Sequence, residues 1–333
     1  MSKQALFLKD AIEEYLVAIY RSHPQTTYMA YRRALSLFLS ATAKEFDVRA
    51  GKESVTALRN AWGEHFLVFL QKKHAIETEH LYSRAVLDFY RHVAATGWAA
   101  VDVDDLEQYI AAHRRPKRYM PPSPPLEAVR QVLEYAQATM PPPAENKFDR
   151  EHLRVLRDRT FLLTLADTGL RISEIIDLRL NHLSEDRQFL ALANPLPFSA
   201  RAGHALDAYL AARLPLDRIQ VHLARGSLPI FARHDKRAGK RVLPISRWTG
   251  NNIVDLWAQM ALSEETLSDL RARGQAITPH TFRHYFVVTT LTATGDAEAT
   301  RRLARHGHPS TTRRYVRSMR RDEIAPSDEN RDK

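Results

Sequence analysis

Residues 113–125 read HRRPKRYMPPSPP. The five prolines deny this stretch a helix, since each fixes φ and lacks a backbone N–H, and they stiffen it as a spacer. The chain is therefore expected to form two bodies joined by a linker over 113–125: a first domain over 1–112 and a second over 126–322, with a polar tail over 323–333. The spacer is also cationic, with Lys117 and Arg118 at its centre. Two readings stand for it: a strap along a phosphate backbone, or a solvated hinge.

The first domain reads as helices. AIEEYLVAIY places Ile12, Leu16, Ile19 and Tyr20 at helical spacing, and TTYMAYRRALSLFLSATA does the same with Tyr28, Tyr31, Leu35 and Phe38. Thr26 or Thr27 is the expected cap of that second helix. AWGEHFLVFLQKK and EHLYSRAVLDFYRHVAATG add two more, the latter stopped at Gly97. Four or five short-linked amphipathic helices predict a compact helical body.

After the spacer, PLEAVRQVLEYAQ is one helix, and EHLRVLRDRTFLLTLADTGLRISEIIDLRL is two, broken at Gly169. RQFLALAN (187–194) and SLPIFAR (227–233) are the strand candidates. ALDAYLAARL and TGNNIVDLWAQMAL are further helices. TPHTFRHYFVVTTLTATG opens with Thr278 as N-cap and Pro279 at the first helical position, and ends near Gly295. AEATRRLARHG and the segment around Tyr315 are read as helical. The whole is predicted to be mainly α with a small β element, the second domain being α+β.

Charge narrows the partner. Of 333 residues, 49 are Lys or Arg and 39 Asp or Glu, a net charge of +10. Such an excess favours a polyanion, most often nucleic acid. Cysteine is absent, which removes disulfides, thiolate nucleophiles and Cys-ligated zinc. The N-terminal MSKQALFLKDAIEEYLVAIY is interrupted by Lys9, Asp10, Glu13 and Glu14, so neither a signal peptide nor a membrane span is expected, and a cytoplasmic location is.

Three stretches carry chemistry. In PHTFRHYF, His280 lies just inside a helix N-terminus, where orphan N–H groups favour an anion, and Arg283 shares its face. His280 and His284 could instead hold a metal, but the glutamate of a zinc-hydrolase helix is missing and Arg283 would place a cation beside the ion. In DTGLRISEI, Arg171 opens a helix, where a cation opposes the dipole; Glu174 or a bound anion must compensate. In RHGHPSTTRRYVR, His306, His308 and Tyr315 are surrounded by Arg313, Arg314 and Arg317. A tyrosine hydroxyl, of ordinary pKa about 10, attacks phosphorus only where positive charge stabilises its oxyanion. Each stretch alone also fits a solvated charged face. Together, arginines and histidines can neutralise a phosphodiester and its transition state while the tyrosine forms a covalent intermediate.

In the order GLRISEI, PHTFRH, RHGHPSTTRRY, the chain resembles the tyrosine recombinase (phage integrase) family. The resemblance implies a helical core-binding domain that clamps DNA and a catalytic domain of the tyrosine recombinase type. By it, Arg171 and Arg283 are the phosphate-clamping arginines and Glu174 supports Arg171. His280 helps accept the tyrosine proton, His306 is the third-box phosphate ligand, and Tyr315 is the nucleophile. His308 falls where the family varies. The implied activity is site-specific DNA recombination through a 3′-phosphotyrosyl link, with no metal or nucleotide cofactor. The implied partners are double-stranded DNA at a recombination site and further copies of the chain, a dimer per site and a tetramer on DNA, a monomer in solution and an accessory protein being compatible with this. A nucleoid-associated location follows.

Two departures stand out. Ala304-Arg305 replaces the family's usual Leu-Gly before the third-box histidine. The family's lysine on a β-hairpin turn, general acid for the leaving 5′-oxygen, has no counterpart in RQFLALANPLPFSARAG; between Arg171 and His280 only Lys236 and Lys240 occur. Lys240, beside Gly239, is the candidate replacement, with Arg201 or a histidine as alternatives. A catalytically impaired DNA-binding protein of recombinase descent therefore remains a rival, as does a type IB topoisomerase-like enzyme. In the first domain, Thr27, Tyr31, Arg32 and Arg33 on one helix, and Arg84 and Arg91 on another, are the candidate DNA contacts, or ordinary solvated side chains.

Overall fold

A computed structural model of the chain describes residues 6–47, 52–116, 125–305, 312 and 315. The chain divides into two compact units, Met1–Met120 and Pro121–Lys333, so the divide falls within the proline-rich stretch. Lys117 and Arg118 lie outside the described residues.

The first unit is built from α1 (Leu8–Ser22), α2 (Gln25–Phe46), α3 (Asn60–Lys73), α4 (Ile76–Thr96) and α5 (Val103–His113). Their apolar stripes close over Leu35, Phe38, Trp62, Phe66, Phe89, Tyr90 and Leu106, all at most 2% exposed. Burying side chains of this size removes on the order of 1.5–3 kcal/mol of apolar hydration each. The start of α2 differs from the expectation. Pro24 caps it, its carbonyl accepting from Thr27 and Tyr28 N–H at 2.9 and 3.2 Å, and Thr26 and Thr27 lie within the first turn. Proline's fixed φ and missing N–H suit a helix start. Gly97 ends α4 with φ 67°, a conformation only glycine adopts without strain.

Tyr31 and Arg91 are only partly exposed, while Arg84 is exposed. The Tyr31 hydroxyl, half-buried, donates to Asp88 at 2.8 Å. Arg84 and Arg91 donate to the same carboxylate, and Arg91 to Glu107 as well. Helix spacing brings i and i+4 together on α4, so Asp88 collects them. Burial first, then the bond to Asp88, pushes the Tyr31 hydroxyl up to about 12. Arg32 and Arg33 are exposed. At the end of this unit, Arg115 donates to the fully buried Glu79 and to the carbonyl of His74. Burial alone would raise the Glu79 carboxyl, but the Arg115 and Gln71 donors outweigh it and hold it below the usual range.

The second unit contains α6 (Leu126–Ala138), α7 (Arg150–Thr168), α8 (Ile172–Ile176), α9 (Ala200–Arg218), α10 (Arg247–Ala261), α11 (Glu264–Ala272), α12 (Pro279–Thr294) and α13 (Ala297–Leu303). α7 lies at the centre, buried around nearly its whole circumference from Leu153 to Thr168. α6, α9 and α12 pack on it. Its C-terminal half, mostly apolar from Phe161 to Ala166, belongs inside, and α7 thereby sets where its C-terminus, Gly169, is held.

The β element is smaller than expected. β1 (Phe189–Leu190) pairs antiparallel with β2 (Leu196–Pro197), Phe189 opposite Pro197 and Leu190 opposite Leu196. The candidate strand 227–233 is instead a 3₁₀ turn at Arg225–Ser227 followed by single bridges, Pro229 to Arg179 and Ala232 to Pro244. Prolines at 195, 197, 229 and 244 explain both results, because each removes a ladder donor. α9 begins earlier than predicted, capped by Ser199, whose backbone N–H and hydroxyl both donate to Asp167.

Candidate active site

The site is assembled where α7 ends. Gly169 caps α7 with φ 55°, and a Cβ there would sit 2.3 Å from Cδ1 of Phe286. Only glycine lets α12 approach this closely. The freed carbonyl of Gly169 accepts from Arg283 on α12 at 2.5 Å, and Arg283 also donates to the carbonyl of Ala304 after α13. Arg283 is 4% exposed, and the two carbonyls hold its guanidinium in place.

Arg171 caps α8. Glu174 resolves the unfavourable cation at that N-terminus: it accepts from the Arg171 backbone N–H at 2.8 Å and from its guanidinium at 2.9 Å. A second arginine, Arg305, donates to the same carboxylate at 3.1 Å. Partial burial works to raise the Glu174 carboxyl, but the Arg171 and Arg305 donors hold it below the usual range. Arg305 was not singled out in the sequence. It occupies φ 53°, the left-handed region in which glycine, the family's usual residue at this place, is unstrained. The signal that could have found it was that departure: a position suited to glycine that carries an arginine must find a partner for it.

Three guanidiniums thus gather around one carboxylate. Burial first, then repulsion from Arg171 and Arg305, pushes Arg283 down to about 10. Desolvation, then Arg283 and Arg171, holds the His280 imidazolium below the ordinary histidine range. Such an excess of fixed cations selects an anion.

α12 supplies the histidines. Thr278 caps it, accepting from the Thr281 N–H at 3.3 Å, with Pro279 at its first position. One turn separates His280 from His284, and their Nε2 atoms are 2.7 Å apart. The Tyr315 hydroxyl lies 3.0 Å from Nδ1 of His284, and its ring packs with Phe286, Val287 and Ala304. His284, read from sequence only as a possible metal ligand, is therefore the tyrosine's neighbour, and His280 lies one ring further. Among the described residues no cluster of three His, Asp or Glu side chains suits a metal ion.

Arg171, Glu174, His280, Arg283 and Tyr315 come together here. His306, Arg313 and Arg314 lie outside the described residues. Lys240 is drawn elsewhere: its ammonium lies 4.8 Å from the centroid of the Phe148 ring, beside the cluster of Leu153, Leu216, Leu228, Ala232 and Val242. Arg201 sits in the first turn of α9, 4.0 Å from Asp167. The β1–β2 turn, 191–195, reads ALANP and holds no lysine.

The model of the phage integrase family matches residues 146–321. Among named relatives, the tyrosine recombinase XerC of Pelobacter propionicus is 27% identical over 296 residues, covering 87% of this chain and 84% of its own. The tyrosine recombinase XerD of Mycobacterium tuberculosis is 27% identical over 241 residues, covering 70% and 67%. Among solved structures, the XerH site-specific recombinase bound to palindromic difH substrate in a post-cleavage complex matches with TM-score 0.65 at 14% identity, covering 94% of this chain and 82% of that one. A lambda integrase dimer bound to a COC′ core site matches with TM-score 0.61 at 13% identity, covering 93% and 95%. The mainly helical fold is the one these two share. Among the described residues, no helix is long and apolar enough to cross a membrane.

Proposed function

The chain belongs to the phage integrase family of tyrosine recombinases, and on that premise we propose that it recombines double-stranded DNA at a specific site through a 3′-phosphotyrosyl intermediate on Tyr315. One observation carries the reading. Arg283 is pinned between the carbonyls of Gly169 and Ala304, beside Arg171 and Arg305, with the Tyr315 hydroxyl at the His284–His280 pair. A phosphodiester entering there meets fixed donors for its non-bridging oxygens, and its transition state gains most from charges already in place. The positive charge that a metal ion would otherwise bring is supplied by guanidiniums, so no metal is called for.

Arg171 and Arg283 clamp the phosphate, Glu174 orients Arg171, and His306 is the further phosphate ligand. The linker, with Lys117 and Arg118, and the exposed Arg32 and Arg33 track the DNA backbone, supported by the net charge of +10. Arg84 and Arg91 reach phosphate only by sharing their donors with Asp88. Cleavage and exchange run between copies of the chain on DNA, as a dimer on each site and a tetramer across two.

The test is a nicked cognate site incubated with wild type and with Tyr315→Phe. Wild type alone is expected to form a covalent protein–DNA adduct. Equal adduct from both, or none from either, refutes the reading.

A second reading has its own observation. The lysine-free β1–β2 turn favours a DNA-binding partner of recombinase descent that does not cut. Specific binding to the site without adduct, even on DNA with an activated leaving group, selects it. If the enzyme does cut, Lys240→Ala tests the replacement acid; a loss of cleavage that DNA with a sulfur leaving atom restores assigns it that role.

A further inference from the structure

We propose that Tyr315 gives up its proton to His284, not directly to His280, and that the two histidines act in series as a relay. The proposal rests on the phosphotyrosyl reading above. Its observation is the unbroken line Tyr315 Oη, His284 Nδ1, His284 Nε2, His280 Nε2, with gaps of 3.0 Å and 2.7 Å. A neutral imidazole has one donor and one acceptor nitrogen, so this line has two arrangements. In the first, Tyr315 donates to Nδ1 of His284, which donates from Nε2 to His280. In the second, Nδ1 of His284 donates to the phenolate, and Nε2 of His284 accepts from a cationic His280. The two are the states before and after proton transfer.

The balance is complete. The Tyr315 O–H bond breaks and its proton goes to Nδ1 of His284, while the Nε2 proton of His284 passes to Nε2 of His280. The phenolate oxygen forms the bond to phosphorus, the bond from phosphorus to the 5′-oxygen breaks, and that oxygen takes a proton from water. In rejoining, the sequence reverses, and His280 returns its proton through His284 to the departing Tyr315.

The surroundings give the relay a direction. His280 faces Arg283 on its own helix and Arg171 at α8, and His284 faces His280 and Tyr315; Arg171 is paired with Glu174, which also accepts from Arg305. Burial first, and then Arg283 and Arg171, disfavour a protonated His280, which favours the neutral ring as proton acceptor. A phosphate bound at Arg171 and Arg283 offsets that repulsion, so His280 accepts the proton more readily once substrate is in place. The tyrosine is then activated when there is phosphorus to attack.

The experiment is single-turnover adduct formation on cognate DNA whose scissile 5′-oxygen is replaced by sulfur. This removes the demand for an acid at the leaving group and leaves the rate to report on the nucleophile. Wild type, His284→Phe, His284→Asn, His280→Gln and the double variant His280→Gln/His284→Asn are compared from about pH 5.5 to about 8.5. Asn keeps a polar group near Nδ1 but carries no proton onward. Each His284 variant is expected to lose about 100-fold or more, the scale of general-base catalysis, and to regain rate with rising pH as hydroxide substitutes. DNA affinity should stay within about three-fold, and the double variant should be no slower than the slower single variant, because two links of one chain fail once. The proposal is overturned if His284→Asn retains the wild-type rate and pH profile, or if the double loss equals the product of the single losses. Absence of adduct from wild type removes the phosphotyrosyl reading and the relay with it, and is distinguishable from both of those results.

Discussion

Gly169→Ala tests how the C-terminus of α7 builds the site. At φ 55° an alanine pays roughly 1–2 kcal/mol for the left-handed conformation. Its Cβ would fall 2.3 Å from Cδ1 and 2.8 Å from Cγ of Phe286. Phe286 is 8% exposed, so the ring must shift within a packed core, at about 1–3 kcal/mol. Loss of chain freedom in the unfolded state returns about 0.4–1 kcal/mol. The net expectation is destabilisation of about 2–4 kcal/mol, on the order of 5–12 °C in Tm for a unit of this size. The displaced ring also packs against Tyr315, and the displaced carbonyl holds Arg283, so adduct formation should fall further than DNA affinity. Thermal unfolding by circular dichroism and a gel assay of the adduct measure the two effects. Phe286→Leu should relieve part of the crowding, making the double variant more stable than the sum of single losses implies. A Gly169→Ala protein that melts within about 2 °C of wild type, or a strictly additive double variant, refutes the packing argument.

Arg305→Gly should leave stability within about 1 kcal/mol of wild type, since relief of left-handed strain offsets a partly exposed ion pair worth about 1 kcal/mol. The same variant should lower the salt slope of DNA binding by about 0.9, as read by titration at several ionic strengths; an unchanged slope places Arg305 outside the phosphate contacts. His234, buried against Tyr209, is pushed down to about 3 by burial first and then by Arg157 and Arg213. Its folded pKa lies below its unfolded one, so the unfolded state takes up the proton first as pH falls, and stability is lost from about pH 6.5 toward about pH 3. Urea unfolding should show about 2 kcal/mol lost between pH 7 and pH 5 from this group, a slope that His234→Gln should flatten and that fails the reasoning if it does not. Inorganic phosphate at about ten times its Kd should stabilise wild type by about 1.4 kcal/mol over chloride at equal ionic strength, and Arg171→Ala should abolish the difference.

Much of the site was legible because its spacing is local. A glycine break followed by Arg-x-x-Glu, and a capped helix carrying His-x-x-Arg, are patterns whose geometry is set within one turn. The relation between them was not, since Arg283 reaches Gly169 across 114 positions of sequence. The helices were legible from their apolar period, and the strands only in part. RQFLALAN holds β1, whereas in the other strand candidate, SLPIFAR, Pro229 and Pro244 restrict pairing to single bridges. In the first unit, the exposed reading of Tyr31 failed because helical spacing says which face a side chain lies on, and not that Asp88 from another helix will accept its hydroxyl.

Arg305 shows why the third box is harder to read than the other two. Its backbone is strained and its side chain adds a third cation to a site with one shared carboxylate, so the left-handed conformation and the repulsion from the neighbouring arginines oppose what its pairing with Glu174 contributes. Arg305 donates to Glu174 and to the carbonyl of Leu303. Under the proposed function, a phosphate at Arg171 and Arg283 sets an anion against this repulsion. Local rules of propensity and charge therefore fail at Arg305, and under the proposed function they fail where an anion is to be held.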